Sequence, residues 1–381
     1  TPLSPFDRLM LADDRPGYPM SFFAEFQVAG PLCEHRLREA VERAARRHPL
    51  LRSRLVPHAS RPAWREGDIG PTFVWHPREP ATTLWRGFDL RQESGLRVIV
   101  LAAGPARHRA IIQVHHAVCD GVSALEYAGD VWAAYAGLEP RPFSAGRGGR
   151  GSAPDASESA QTESAQNSLR EAWSFARFRP APLAPLPTGM APPAPPRDDP
   201  ASPPYAWMEF DKATTDGLRE AAVARGGSLN DLVVAAVMRA AVVWNRRAGR
   251  RAGNVRITMP VSLRPPGHRQ PARNDLGYAF LDRPPEACMA SGELTESVAA
   301  STRWVLENQA ARMFLDAIAA LGRWPGLLWL ATRLPVCFST AVVSNVGDPA
   351  RRMRCGADIV DGLLAPDDVV IERIFGVPPS R

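Results

Sequence analysis

The stretch Ile111-Ile112-Gln113-Val114-His115-His116-Ala117-Val118-Cys119-Asp120-Gly121 decides how the rest of the chain reads. Its β-branched opening predicts a strand, and Asp120-Gly121 marks a turn. Successive strand side chains point to opposite faces, so His115 and His116 address one site together only if the strand ends between them. One of the two is expected to carry chemistry and the other to be structural. A histidine at a strand end, just ahead of a turn, is placed to face a cleft. Its unperturbed imidazole titrates near the pH at which a general base works.

Adjacent histidines have other uses. A core histidine satisfied by hydrogen bonds is the commoner case, and a metal ligand is another. A metal needs a third and fourth ligand nearby, and no HxH, HExxH or carboxylate cluster supplies them. Cys119 as a thiol nucleophile would have to converge with an imidazole from a separate element, and three residues around a turn work against that. Asp120 beside Gly121 also fits an ordinary turn aspartate.

Working outward, residues 96–101 and 110–116 read as strands on either side of a Gly104-Pro105 turn, and residues 122–135 return to helical spacing. Upstream, residues 21–28 alternate, with Phe22, Ala24, Phe26 and Val28 on one side of a strand. Residues 34–48 place Leu37, Val41 and Ala44 on one stripe of an amphipathic helix, stopped by Pro49. From 144 to 168 the composition collapses to Gly, Ser, Ala and Gln, and residues 180–204 hold 11 of the 38 prolines. Such segments bury too little apolar area to offset their ordering entropy, so they predict a linker, with one short helix at 169–178.

A second lobe is expected to begin at residues 205–210. Ser228 and Asp231 form a capping-box pattern ahead of an apolar helix at 229–244. Residues 255–264 read as a strand with Val255, Ile257, Met259, Val261 and Leu263 on one face and Thr258, Ser262 and Arg264 on the other. Later strands are expected at 340–346 and 369–377. The chain thus divides into a mixed α/β (α+β) lobe at 1–143, a linker at 144–204 and a second lobe at 205–381.

The 381 residues exceed one ordinary core, in keeping with two domains. A hydrophobic fraction of 45% with 23% charged residues fits a soluble globular protein. The longest apolar run, 232–243, is broken by Arg239, so no spanning helix is expected. The chain opens on Thr1-Pro2-Leu3-Ser4, which is not a secretory signal, and its lack of an initiator Met suggests an earlier natural start. The net charge is +6 with Lys212 the only lysine, but the arginines are scattered among acids, which argues against nucleic acid. Attraction to an anionic lipid surface stays open. Five dispersed cysteines without a CxxC pair fit a reduced, cytoplasmic protein rather than a zinc or disulfide framework.

His115-His116-Ala117-Val118-Cys119-Asp120-Gly121 resembles the HHxxxDG signature of the chloramphenicol-acetyltransferase-like acyltransferases, a superfamily that includes condensation domains and bacterial wax ester synthase/diacylglycerol acyltransferases. Four further stretches resemble motifs of the last group, in order. They are Leu3-Ser4-Pro5-Phe6-Asp7, Asn230-Asp231-Leu232-Val233, Pro260-Val261-Ser262-Leu263-Arg264 and Val343-Ser344-Asn345-Val346. His48-Pro49-Leu50-Leu51-Arg52-Ser53-Arg54 looks more like the start of a condensation domain. Arg273-Asn274-Asp275-Leu276-Gly277 stands where a Gly-Asn pair is usual, and Gly347-Asp348-Pro349 where Pro-Gly-Pro is.

The resemblance implies two lobes, each a mixed sheet packed with helices, and an active-site tunnel between them. It also implies last strands beyond Arg381. His116 would be the general base, with oxyanion donors near Gly121, Asp120 paired with Arg264, and His115 supporting the loop. Asn230, Asp231, Ser262 and Asn345 would be structural or line the tunnel, although helix capping alone explains Asp231. No permanently bound cofactor or metal is implied. Acyl-CoA or a phosphopantetheine thioester is the donor substrate, on an acyl-carrier protein in the second case, and a lipophilic alcohol or an amine is the acceptor. The reading is therefore an O-acyltransferase of lipid metabolism, with attachment to a membrane surface open. Its alternatives are a condensation-type enzyme and a non-catalytic binding module.

Overall fold

In the computed structural model, which describes residues 1–16, 18–58, 61–67, 69–77, 86–144, 177–185, 208–290, 292–360 and 363–377, the alternating residues of the first strand become β1 (Ser21–Ala29). Phe22, Ala24, Phe26 and Val28 are all buried on its core side. β1 pairs antiparallel with β6 (Arg107–His115), β6 antiparallel with β5 (Leu96–Ala102), and β5 parallel with β4 (Thr72–His76). A two-stranded ribbon, β2 (Arg54–His58) with β3 (Arg61–Arg65), lies outside that sheet.

The preceding helix α1 (Pro5–Asp13) is opened by a capping box between Ser4 and Asp7. In α2 (Glu34–Ala45) the stripe Leu37, Val41 and Ala44 is buried in the core. This helix ends at Ala45, short of the expected His48, because the residue before a proline is pushed out of the helical region and Pro49 opens a 3-10 turn, Pro49–Arg52. α3 (Gly121–Tyr135) is buried from Ser123 to its end, as an all-round apolar helix should be.

The second lobe has its own sheet, in the order β8 (Leu276–Arg283), β7 (Val255–Ser262), β9 (Ala341–Val342). Its core joins Val234, Met238 and Val242 of α5 (Leu229–Arg247) to Ile257, Leu281 and Val298. Beside it lie α4 (Lys212–Val223), α6 (Pro285–Met289), α7 (Glu293–Glu307) and α8 (Ala311–Leu321), while α9 (Leu327–Ala331) packs on α8 and on α1 of the first lobe. The protein is thus a two-lobed α/β fold with sheets packed against helices. No helix among the described residues is long and apolar enough to cross a membrane.

Several expectations change. The strand predicted at 340–346 is only two residues long, and beyond it the Asn345 side chain accepts the Gly347 N–H at 2.8 Å in a turn. Both faces of β7 are buried from Val255 to Met259. Arg256, on the face opposite Ile257, is 1% exposed and pairs with Asp282 at 2.7 Å, its guanidinium 5.2 Å from the Phe178 ring centroid.

Residues 180–184, inside the predicted linker, dock on the second lobe. Asn245 donates to Pro182 O and accepts from Ala184 N–H, and the Trp244 indole donates to Ala184 O. Residues 145–176 and 186–204 of the linker, its predicted short helix up to 176, and residues 205–207 at the expected start of the second lobe lie outside the described residues.

The stretch 205–381 is not one lobe in space. Beyond α10 (Pro349–Met353), the strands β10 (Asp358–Val360), β11 (Leu363–Ala365) and β12 (Val370–Val377) join the first lobe, in the order β10-β11-β12-β1-β6-β5-β4. Val369 and Ile371 enter the first core, and β12 fills the edge of β1 that β6 leaves open.

Two glycines make the tightest approaches among the described residues. A Cβ on Gly129 would lie 2.0 Å from Met353 O, so α10 rests directly on α3, and one on Gly277 would lie 2.0 Å from Ala311 O, at the start of α8. Gly129→Ala is expected to lose about 1–3 kcal/mol through forced separation of α3 and α10. Gly217→Ala, in α4 with nothing within 4 Å, should gain up to about 1 kcal/mol from helix propensity. Urea unfolding midpoints of the two variants moving in opposite directions check both.

Candidate active site

β6 ends at His115, so the two histidines part. His115 is buried and its Nδ1 accepts the Ala117 N–H at 3.0 Å, which leaves the ring hydrogen on Nε2, 3.5 Å from Asp14 Oδ2. Its edge meets the Phe88 ring. Burial acts to raise the Asp14 carboxyl, but His115 and the Met20 N–H outweigh it and hold the group below the ordinary carboxylate value. His115 therefore secures the turn, which closes with Val118 N–H donating to His115 O.

His116 is half-buried. Its N–H donates to Met20 O at 2.7 Å, and its carbonyl accepts from Asn274 Nδ2 at 2.8 Å. The ring sits between Phe6 and Phe22, with centroids 5.5 and 5.0 Å away. Its Nδ1 is buried without a hydrogen-bond partner. Burial pushes the imidazole below its ordinary 6.5, against its own carbonyl and Asp120, which favour the charged form. At neutral pH the ring is uncharged and can accept a proton.

Asp120 is the N-cap of α3. Its Oδ1 accepts the Ser123 N–H at 2.9 Å. Its Oδ2 accepts the Asp275 N–H at 2.9 Å and lies 2.8 Å from Arg264 Nη2. Arg264 Nη2 also donates to Ser123 Oγ and Arg273 O. These partners hold the carboxylate in place through both of its oxygens. Gly121 is the first residue of α3, and a Cβ there would lie 3.3 Å from Val346 Cγ1, so the 343–346 segment reaches the helix start. The Cys119 thiol is pushed far above its ordinary value by burial and then by Asp120, which removes it as a nucleophile at neutral pH.

The other motif residues stand apart. Asn230 Nδ2 donates to Met259 Sδ, and Asp231 closes the capping box with Ser228. Ser262 is exposed at the end of β7, where its Oγ accepts the Arg264 N–H at 3.4 Å. Asn345 is exposed and occupied by its own turn.

Residues that sequence reasoning passed over complete the site. Asn274 Nδ2 also donates to Asp7 Oδ1 at 3.0 Å, while Asp7 Oδ2 accepts from Ser4 N–H and the Trp64 indole. His48 Nδ1 accepts the Ala272 N–H at 2.8 Å, which turns Nε2 toward Asp130 Oδ2 at 3.1 Å. Asp130 also takes Arg47 and Arg269. Burial pushes His48 below its ordinary value. Asp7 and Asn274 stood inside quoted motifs, but nothing in either motif shows that the two side chains meet.

Solved structures share this architecture. Polyketide synthase associated protein 5 from Mycobacterium tuberculosis matches at 16% identity and a TM-score of 0.59 over 98% of this chain and 86% of that one. The first condensation domain of the calcium-dependent antibiotic synthetase, in complex with a substrate analogue, matches at 17% and 0.61 over 99% and 85%. The chain has the condensation-domain fold. The SgcC5 protein from Streptomyces globisporus, in complex with a naphthyl ethanediol and sucrose, matches at 15% and 0.56 over 99% and 85%. No family model and no curated protein sequence matches the chain. At these identities the likeness is one of fold.

Asp120→Ala strands Arg264 and uncaps α3, so it should cost about 3–5 kcal/mol of stability, whereas exposed Ser262→Ala should stay within about 0.5 kcal/mol. Denaturant titration of both compares them directly. His48 and His116 are held below 6.5 in the fold. On acidification the unfolded chain takes up those protons first, so this stability is complete above pH 6.5 and drains as pH falls below it. Urea midpoints at about pH 7.5 and about pH 5.5 should show the decline.

Proposed function

We propose that this chain is an acyltransferase that moves an acyl group from a thioester to a hydroxyl, with His116 as the general base. The observation that carries this reading is the His116 imidazole itself, half-buried between two phenyl rings, pushed below its ordinary value by burial, and held by groups from both lobes. Such a ring takes the proton of an acceptor hydroxyl as its oxygen attacks the thioester carbonyl. Backbone N–H groups at the start of α3, near Gly121, are the candidate donors to the tetrahedral oxyanion, aided by the helix dipole. Collapse expels the thiolate, which receives the proton back from the imidazolium. No acyl-enzyme forms, and Asp120 with Arg264 keeps the turn and the second lobe in place.

Acyl-CoA or a phosphopantetheine arm would supply the thioester, and a lipophilic alcohol the acceptor, as in wax ester synthase/diacylglycerol acyltransferases. The aromatic row Phe6, Tyr278 and Phe314, in contact beside His116, favours an apolar substrate. A bilayer or lipid surface is a natural source of such an acceptor. A second reading, joining carrier-protein-bound acyl groups to an amine, is favoured by the likeness to a condensation domain that holds a substrate analogue.

The test pairs acyl-CoA and acyl-carrier protein with alcohol and amine acceptors, using the unaltered protein and His116→Ala. Acyl transfer should fall about 10²- to 10⁴-fold in the variant. The acid limb of kcat/KM should inflect below pH 6.5, where the base becomes charged. Absence of product with either thioester, or an unchanged product profile in His116→Ala, would overturn the reading, and the second result would favour a non-catalytic binding module.

A further inference from the structure

His116 is fastened by three parts of the chain that are distant in sequence. Its N–H goes to Met20 at the start of β1, its ring packs against Phe6 of α1, and its carbonyl is held by Asn274. Asn274 lies in the loop between β7 and β8, and that loop is itself tied down on both sides. Arg269 pairs with Asp130 and the Ala272 N–H donates to His48 on one side, while the Asp275 N–H donates to Asp120 on the other. The Nδ2 group has two acceptors, His116 O at 2.8 Å and Asp7 Oδ1 at 3.0 Å. These fix the orientation of the carboxamide, because a flipped amide would set its oxygen against both acceptors.

The amide oxygen of Asn274 is therefore turned away from both. It is buried and has no hydrogen-bond partner, and His116 Nδ1 is in the same condition. Unpaired buried polar atoms are costly, and here two of them fall on residues already joined by a hydrogen bond. A ring that accepts a proton at Nε2 must carry its own hydrogen on Nδ1, and it becomes a buried cation once the proton arrives. Asn274 is among the groups that favour that cation.

We infer that Asn274 is a positioning residue for His116: anchored by Asp7, it clamps the His116 carbonyl across the two lobes and so orients the imidazole that takes up the proton at Nε2. This role rests on the acyl-transfer reading. Asn274→Leu keeps the size of the side chain and removes its polar atoms. In that variant kcat should fall on the order of 10²-fold with KM little changed. The acid limb of the pH profile should move to lower pH, since a group that favours the charged ring is gone.

A kcat and acid limb that stay at the values of the unaltered protein would overturn the inference, even if the thermal midpoint drops. His116→Ala is assayed alongside. Full activity there sinks the acyl-transfer reading itself, whereas loss there with no change in Asn274→Leu sinks only the positioning role. Should Asn274→Leu fail to fold, the imidazole ¹⁵N spectrum of the unaltered protein decides. The Nδ1–H tautomer of His116 is expected, and the Nε2–H tautomer overturns the proposal.

Discussion

The buried Asp120 carboxylate is the joint on which both lobes depend. A charge so deep in the protein is tolerated only when it is paired and hydrogen-bonded, and here the Ser123 and Asp275 amides and the Arg264 guanidinium supply those partners. The first of these contacts caps α3, a helix buried along most of its length, whose orphan N–H groups would otherwise face an apolar interior. The other two come from the second lobe. One side chain thus starts the central helix of the first lobe, docks the loop that follows β7, and stands four residues from His116.

The path of the chain reinforces that joint. After the second sheet the chain returns, and β12 completes the first sheet beside β1. On the way, α10 passes over α3 at Gly129, where no side chain would fit. The loop carrying Arg269, Ala272, Asn274 and Asp275 meets the first lobe at Asp130, His48, His116 and Asp120. The lobes are therefore tied through backbone crossing and buried polar contacts together, and the candidate base sits within that seam.

Two neighbouring histidines acquire opposite characters from their surroundings alone. His115 spends Nδ1 on the Ala117 amide and turns Nε2 to Asp14, so its ring is committed to the turn. His116 has no such partner on Nδ1 and is wedged between Phe6 and Phe22, where loss of water outweighs the nearby Asp120 charge. The same desolvation silences Cys119, because it disfavours whichever form is charged: the protonated imidazole in one case, the thiolate in the other.

Local order was readable from residue types and spacing. The alternation of Phe22, Ala24, Phe26 and Val28, the stripe Leu37, Val41 and Ala44, and the Ser228–Asp231 capping box each specify an element through contacts within a few residues. The sequence also brought His116, Asp120 and Arg264 forward as a group. What it could not contain is the partner of each surface. Period shows which face is buried but not against what, so β12 beside β1, the shortness of β9 and the docking of residues 180–184 on Asn245 emerged only in three dimensions. The meeting of Asp7, Asn274 and His116 belongs to the same class, since residues separated by 267 and 158 positions become neighbours only when both lobes close around one seam.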